Sequence, residues 1–217
     1  MDVIALDIET KNLDISNLDF NDPQGWNVAC VSIFEAQSTP ITPTFKGHRY
    51  ATPADLKKRE FEFLALSDFE QLNQQLEKWY QAGYTLITKN GYNFDLPIIS
   101  KSEAEGGCGV GETLKKFETA NRHLDLQKYL EDSTDGVRFS LQNLIKSVLG
   151  TQESKLMAAD QAPQSWAVGD YMSVVEYCDA DAEYTYKVWQ KARQKGSLQC
   201  IGKKDGQEHN CVVKIKW

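Results

Sequence analysis

Short apolar stretches separated by polar turns occupy the first third of the chain, a pattern typical of β-strands. Residues 3–6 and 26–34 are two such stretches, and the segment between them carries Asn, Asp, Pro and Gly. Residues 61–64 are a third candidate strand. Residues 38–53 contain three prolines and one glycine, so we expect a loop there.

Farther along, the apolar positions take helical spacing. Helices are predicted over 67–81, 96–105, 140–149 and 170–195, and further strands over 85–88 and 123–126. Ser67 and Ser140 are the expected N-caps, with Gly83 and Gly150 as stops. This order predicts an α/β fold in which helices flank a mixed sheet.

The end of the chain has a different character. Residues 197–201 and 210–217 are expected to pair around a glycine-containing turn. The segment from Lys195 onward contains five lysines and only two acids. We therefore predict a main domain over 1–195 and a basic hairpin or tail over 196–217. The tail is expected to contact nucleic acid, a protein partner, or nothing.

Length and charge limit the functions to consider. The 217 residues suit one domain with an appendage, and 41% hydrophobic residues is ordinary globular composition. The net charge of −7 argues against a protein that coats long nucleic acid, which usually carries a basic surplus. It leaves room for a small footprint, such as one strand end.

The five cysteines include no C-x-x-C pair, and only three histidines are present, which argues against a zinc cluster. An odd cysteine number without a secretory segment predicts reduced thiols and a cytoplasmic setting. No apolar stretch approaches the ~20 residues of a membrane span, so no membrane contact is expected.

Acids in apolar surroundings are the candidate chemistry. Asp7 and Glu9 end an apolar strand, and positions i and i+2 of a strand share a face. Two carboxylates beside buried surface repel each other unless a divalent cation lies between them, and Mg²⁺ prefers such oxygens. The alternative is an edge strand that ends in water.

Two further sites carry polar groups in similar contexts. Asp95 follows a predicted strand and is either a site residue or a helix N-cap, and Asn90 is otherwise a turn residue. Tyr177 and Asp181 are four residues apart in a predicted helix and so share a face. The alternative for this pair is a core tyrosine with a solvated acid.

Together the three stretches resemble the exonuclease domain of family B DNA polymerases. They read Asp7-Ile8-Glu9-Thr10, Asn90-Gly91-Tyr92-Asn93-Phe94-Asp95 and Tyr177-Cys178-Asp179-Ala180-Asp181-Ala182. More widely they are similar to the tyrosine branch of the DEDD exonuclease superfamily, since the histidine of the other branch falls at Glu176 here. The resemblance covers roughly residues 1–195 and implies a ribonuclease-H-like fold.

The resemblance implies a two-metal site that uses Mg²⁺ or Mn²⁺. Asp7, Glu9 and Asp181 would hold one ion, and Asp7 would hold the other with Asp95, directly or through water. Tyr177 would orient the attacking water, and 5′-mononucleotides would leave a single-stranded 3′ end.

Substrate contacts are implied for Thr10, Leu13 and Asn90, although Leu13 could equally be ordinary packing. Phe94 is expected in the core. A basic group in and beyond the predicted loop, together with Phe45 and Tyr50, would either guide the nucleic-acid backbone or be a solvated loop: Lys46, His48, Arg49, Lys57, Lys58 and Arg59.

Two other functions fit the same fold. One is a catalytically silent module that binds nucleic acid or protein, and the other is an endonuclease or resolvase. The presence of all four carboxylates and the tyrosine favours the exonuclease. The residues do not choose between DNA and RNA, although we favour DNA.

Overall fold

The structure is a computed structural model. It describes residues 1–13, 18, 22, 25–38, 44–51, 63–66, 69–104, 108–150, 156–158 and 160–217. The predicted cap Ser67, the first half of the predicted strand 61–64 and the basic residues Lys57, Lys58 and Arg59 lie outside these ranges.

A mixed sheet of six strands forms the centre of the molecule. Its strands are β1 (Val3–Thr10), β2 (Val28–Gln37), β3 (Thr44–Ala51), β4 (Phe63–Leu66), β5 (Thr85–Thr88) and β6 (His123–Asp125), in the order β4-β3-β2-β1-β5-β6. β2 is antiparallel to β1 and β3, whereas β1, β5 and β6 are parallel neighbours. The carboxyl ends of β1 and β5 therefore meet at one edge of the sheet.

Helices cover both faces of this sheet. They are α1 (Phe69–Gln81), α2 (Asp95–Ala104), α3 (Val110–Thr119), α4 (Leu126–Ser133), α5 (Leu141–Leu144), α6 (Ala162–Ala167) and α7 (Tyr171–Lys195), and a π-helical turn (Ile145–Leu149) extends α5. The mixed sheet flanked by helices confirms the predicted α/β fold.

The alternation of side chains along β1 divides the core into two layers. Ile4, Leu6 and Ile8 pack with the α1–α3 layer, whereas Val3 and Ala5 pack with the layer that contains α7. Since residues i and i+2 share a strand face, Asp7 and Glu9 continue the α7 side. β1 lies between β2 and β5, so the alternative of a solvent-exposed edge strand is wrong.

The predicted loop over 38–53 is wrong for its second half, which is β3. Thr44–Ala51 pairs with β2 over its whole length, and the three prolines at positions 40, 43 and 53 all lie outside the strand. Proline lacks the N–H that a sheet ladder needs, so these residues flank the strand and do not interrupt it. The prolines on both sides of the strand led to the prediction of a loop.

Several other predictions are confirmed with shifted ends. The strand over 26–34 is observed at Val28–Gln37, and the long C-terminal helix is α7, capped by Asp170, whose side chain accepts from the Ser173 N–H. Ser140 caps α5 as predicted, through the Asn143 N–H. The short helices α3, α4 and α6 were not predicted.

The C-terminal hairpin consists of β7 (Ser197–Lys204) and β8 (Gln207–Lys214), joined at Asp205 and Gly206, both with positive φ. Leu198, Cys200 and Val213 bury it against the α7 layer of the core. Its separation from residues 1–195 as a functional unit stays a prediction.

All five cysteines are free thiols. Within the described ranges, no helix combines the length and apolar composition that a bilayer crossing requires.

Candidate active site

A cleft of about 450 Å³ opens where β1 and β5 end beside α7. All of the predicted site residues line it: Asp7, Glu9, Thr10, Leu13, Asn90, Asp95, Tyr177 and Asp181. The sequence prediction missed most of the remaining wall, which includes Asn12, Trp26, Lys89, Asp160, Pro163 and Gln164.

Three carboxylates converge at the base of the cleft. One oxygen from each of Asp7, Glu9 and Asp181 lies within 4.8 Å of the others. Asp181 is only 3% exposed, so the alternative of a solvated acid on α7 is wrong. An all-carboxylate donor set at this spacing fits a hard divalent cation such as Mg²⁺ or Mn²⁺.

Asp95 is the first residue of α2 and is 3% exposed. Its Oδ1 accepts a 3.1 Å hydrogen bond from the backbone N–H of Ile8, which fixes the carboxylate against β1 between Asp7 and Glu9. Burial and the nearby charge of Asp125 raise the pKa of Asp95 to about 7. A bound cation would favour the ionised form of this group.

Tyr177 lies one helical turn before Asp181 and is 1% exposed. Burial raises its pKa far above the usual range, and the charges of Asp181, Glu9 and Asp7 raise it further. The phenol therefore keeps its proton beside the carboxylates.

The turn after β5 is held by a residue whose role the sequence prediction missed. Asp125, at the end of β6, accepts hydrogen bonds from the backbone N–H of Asn90 at 3.1 Å and of Tyr92 at 3.0 Å. Its Oδ2 also accepts from the Thr88 hydroxyl at 3.2 Å. These bonds hold Asn90 in a left-handed conformation with φ of 72° and so aim the following chain toward Asp95.

Gly91 is required in the same turn. A Cβ at this position would lie 2.5 Å from the side chain of Thr88, closer than packed atoms approach. A larger residue would push the turn away from β5.

A second buried network fixes α7 to the sheet. Asp179 accepts from the Arg49 guanidinium and, at 2.6 Å, from the hydroxyl of Ser32, the strand partner of Asp7. The Cys178 thiol adds a 3.4 Å hydrogen bond to the Asp7 carbonyl. Together these contacts hold the helix that carries Tyr177 and Asp181 beside the strand that carries Asp7 and Glu9.

The same network corrects the prediction of a basic substrate-guiding loop. Arg49 is buried against Asp179, and His48 is buried 2.7 Å from Glu35. Tyr50 is also buried and stacks on Phe69. Of the described members of that group, Lys46 and Phe45 remain exposed.

Contacts at the mouth of the cleft position the remaining predicted residues. Asn12 accepts from the Asn27 N–H at 2.8 Å and donates to the Gly25 carbonyl at 2.6 Å, which fixes the backbone beside Leu13. Leu13 is 65% exposed, so ordinary core packing does not account for it. Phe94 packs edge-on against Trp26 and is partly buried, as expected for a core position.

Lys89 was also missed, although it directly precedes Asn90. Burial lowers the pKa of its amine to about 8, opposed by the nearby charges of Asp125 and Asp95. The only sequence signal was a lysine at the end of an apolar strand, next to a motif residue.

Comparison with solved structures shows which known fold the chain shares. The chain matches the structure of a family B DNA polymerase from the hyperthermophilic archaeon Pyrobaculum calidifontis with a TM-score of 0.56 and 13% identity. The match covers 89% of this chain and 24% of the polymerase chain, so this chain spans about a quarter of its length. The fold is thus the ribonuclease-H-like fold of a polymerase exonuclease domain.

The family follows from the sequence profile. Residues 55–205 match a family described as a predicted 3′–5′ exonuclease related to the exonuclease domain of PolB. The match spans more than half of the chain, which therefore belongs to this family. Asp95, Tyr177 and Asp181 fall inside the matched part, whereas Asp7 and Glu9 precede it. No curated protein matches the chain.

Proposed function

We propose that this protein is a metal-dependent 3′→5′ exonuclease that releases 5′-mononucleotides from the 3′ end of single-stranded nucleic acid. DNA is the favoured substrate, and RNA is the alternative. The observation that carries the proposal is the convergence of Asp7, Glu9 and Asp181 within 4.8 Å, in a cleft that Asp95 and Tyr177 also line.

The four carboxylates are the proposed metal ligands. Asp7, Glu9 and Asp181 would hold one Mg²⁺ or Mn²⁺, and Asp7 would share a second with Asp95. When bound, such a pair supplies charge neutralisation for the phosphate and makes hydroxide accessible near neutral pH. Burial of Asp181 and Asp95 restricts their motion, which preorganises the site.

Tyr177 orients the attacking water. Because burial and three nearby carboxylates keep its hydroxyl protonated, it acts by hydrogen bonding and does not take the proton of the water. Its position on α7, fixed through the neighbouring Asp179 network, sets the direction of attack.

The cleft suits the end of one strand. Its volume of about 450 Å³ lies within the range of small-ligand pockets, which is too small for a duplex to enter. Leu13 offers an exposed apolar surface to the terminal base, and Thr10 and Asn90 offer polar groups to the last nucleotide. A footprint this small is compatible with the acidic net charge.

The proposal is tested with labelled oligonucleotides in Mg²⁺, Mn²⁺ or EDTA. A 5′-labelled strand should shorten to a ladder, and a 3′-labelled strand should release a mononucleotide first, with no reaction in EDTA. Asp7→Asn should lower the rate by ~10²–10³-fold or more, and Tyr177→Phe by less. Matched DNA and RNA strands give the preference.

Other results would replace the proposal. Internal fragments of both labelled strands would indicate an endonuclease. Binding without hydrolysis would indicate a silent module. An Asp7→Asn variant as active as the wild type would place the site elsewhere.

A further inference from the structure

Lys89 lies in the cleft at the carboxyl end of the strand next to β1. β1 and β5 are parallel, with Val3 opposite Thr85 and Ala5 opposite Ile87. Lys89 directly follows the last residue of β5, beyond the paired part of the two strands. Both Lys89 and Asp7 line the cleft.

The local charge balance gives this lysine a role. The carboxylates that line the cleft are Asp7, Glu9, Asp95, Asp160 and Asp181. Among the described lining residues, Lys89 carries the one cationic side chain. With it, the ionised cleft carries a net charge of −4, which two divalent ions would balance.

Without Lys89, the same loaded cleft would keep one negative charge and repel a phosphodiester. A single charge in the cleft matters here because electrostatic interactions strengthen as water is excluded. With Lys89, the metal-loaded cleft has a net charge of zero and so does not repel an anionic substrate.

A structural role for Lys89 is already filled by other groups. Asp125, the acid whose charge acts most on the Lys89 amine, accepts from the backbone N–H groups of Asn90, Tyr92 and Lys128 and from the Thr88 hydroxyl. Across the part of the chain that the structure describes, the Lys89 ammonium makes no hydrogen bond or ion pair. Its charge is therefore available to a ligand.

We propose that Lys89 is a further substrate-binding residue, whose ammonium contacts a non-bridging phosphate oxygen of the 3′-terminal linkage. This inference rests on the proposed exonuclease function. A lysine ammonium is a compact charge with three donors on a flexible stem, which suits contact with a phosphate oxygen without fixed bidentate geometry.

The test compares Lys89→Gln, Lys89→Met and Lys89→Arg with Lys115→Gln, which removes the same charge from an exposed position on α3. We expect kcat/KM with Mn²⁺ to fall ~10–100-fold in the Gln and Met variants, as for a lost hydrogen bond to a charged group. Lys89→Arg should keep most of the activity, and Lys115→Gln should match the wild type.

The salt dependence separates a phosphate contact from a structural role. The slope of log kcat/KM against log salt concentration should become shallower by ~0.7 in Lys89→Gln and Lys89→Met, because one contact to a single strand is lost. It should stay unchanged in Lys89→Arg and Lys115→Gln.

Three results would overturn the inference. A Lys89→Gln variant with wild-type activity and the wild-type slope would rule out the role proposed for Lys89 and would leave the proposed exonuclease function unaffected. A loss of activity with a lower melting temperature and an unchanged slope would make Lys89 structural. An inactive wild type would remove both proposals together.

Discussion

Two buried acids on α7, Asp179 and Asp181, show how differently the same residue type is used two positions apart. Asp179 is held by Arg49 and by the Ser32 hydroxyl, so a cation built into the fold balances its charge. The carboxylate of Asp181 is grouped with those of Asp7 and Glu9. Arg49 and Ser32 offset part of the desolvation of Asp179, although burial still raises its pKa to about 6. The grouped carboxylates of the cleft would be stabilised by the divalent cation that we propose binds there.

The same contrast exists between Glu35 and Asp95. Burial acts to raise the pKa of Glu35, but hydrogen bonds from His48, Tyr84 and Gln37 outweigh it and lower the value to about 2. For Asp95, burial and the charge of Asp125 raise the pKa to about 7. The donors around Glu35 keep it ionised, whereas Asp95 is ionised in the folded state only at a cost in free energy.

The largest expected effect follows from breaking the built-in pair. Arg49→Met should lower the free energy of unfolding by about 3–5 kcal/mol, because Asp179 would keep a buried charge without its cation. Urea unfolding measures this loss. Lys46→Met, an exposed change on the same strand, should stay within about 0.5 kcal/mol of the wild type.

A double variant sharpens that result. Arg49→Met combined with Asp179→Leu removes both charges and should recover part of the loss. If Arg49→Met alone lowered the free energy of unfolding by less than about 1 kcal/mol, the Arg49–Asp179 pair would not be what holds α7 to the sheet.

The second prediction concerns the cleft acids. Mn²⁺ at 100 times its dissociation constant should stabilise the wild type by about 2.7 kcal/mol, since the folded site alone binds the ion. Asp7→Asn should lose most of this increment. Arg49→Met should start from a lower stability and still gain nearly the full increment, because its cleft carboxylates are unchanged. Equal stabilisation of Asp7→Asn would contradict the assigned ligands.

The difference between the cleft acids and the Arg49–Asp179 network also explains what the sequence could predict. Asp7, Glu9, Tyr177 and Asp181 were predicted because their stretches together resemble the motifs of an exonuclease family, whereas each stretch alone has an ordinary structural explanation. Arg49 and Asp179 are 130 positions apart, and nothing local marks them as partners. Asp125 likewise acts on Asn90, which is 35 positions away, through the pairing of β5 and β6.

The fold was likewise predicted where the pattern is local and missed where it depends on distant residues. β1, β5 and α7 were predicted because their periodicity dominates their windows. β3 was missed because prolines flank it and its own sequence lacks a regular alternation of apolar and polar residues. Its pairing with β2 provides much of what makes it a strand. The resemblance of three motifs singled out the acids, whereas Lys89 emerged only from the residues that line the cleft.

The smallest expected effect is a pH dependence that separates Asp95 from Glu35. The pKa of Asp95 rises from 3.8 to about 7 on folding, so the folded state binds the extra proton between these values. Its contribution to stability is present below about pH 4 and is lost as the pH rises through 7. In EDTA, Asp95→Asn should therefore be about 1–2 kcal/mol more stable than the wild type at pH 8 and equal to it near pH 4.

Glu35→Gln is the matched control, because folding lowers the pKa of Glu35 whereas it raises that of Asp95. The pKa of Glu35 falls from 4.5 to about 2 on folding, so its contribution is present above pH 4.5 and is lost only below it. This variant should be less stable than the wild type by a constant amount from pH 5 to 8. Urea unfolding across that range measures both curves. An Asp95→Asn variant that is less stable than the wild type at pH 8 would show that the cleft acid, like Glu35, already has sufficient partners within the fold.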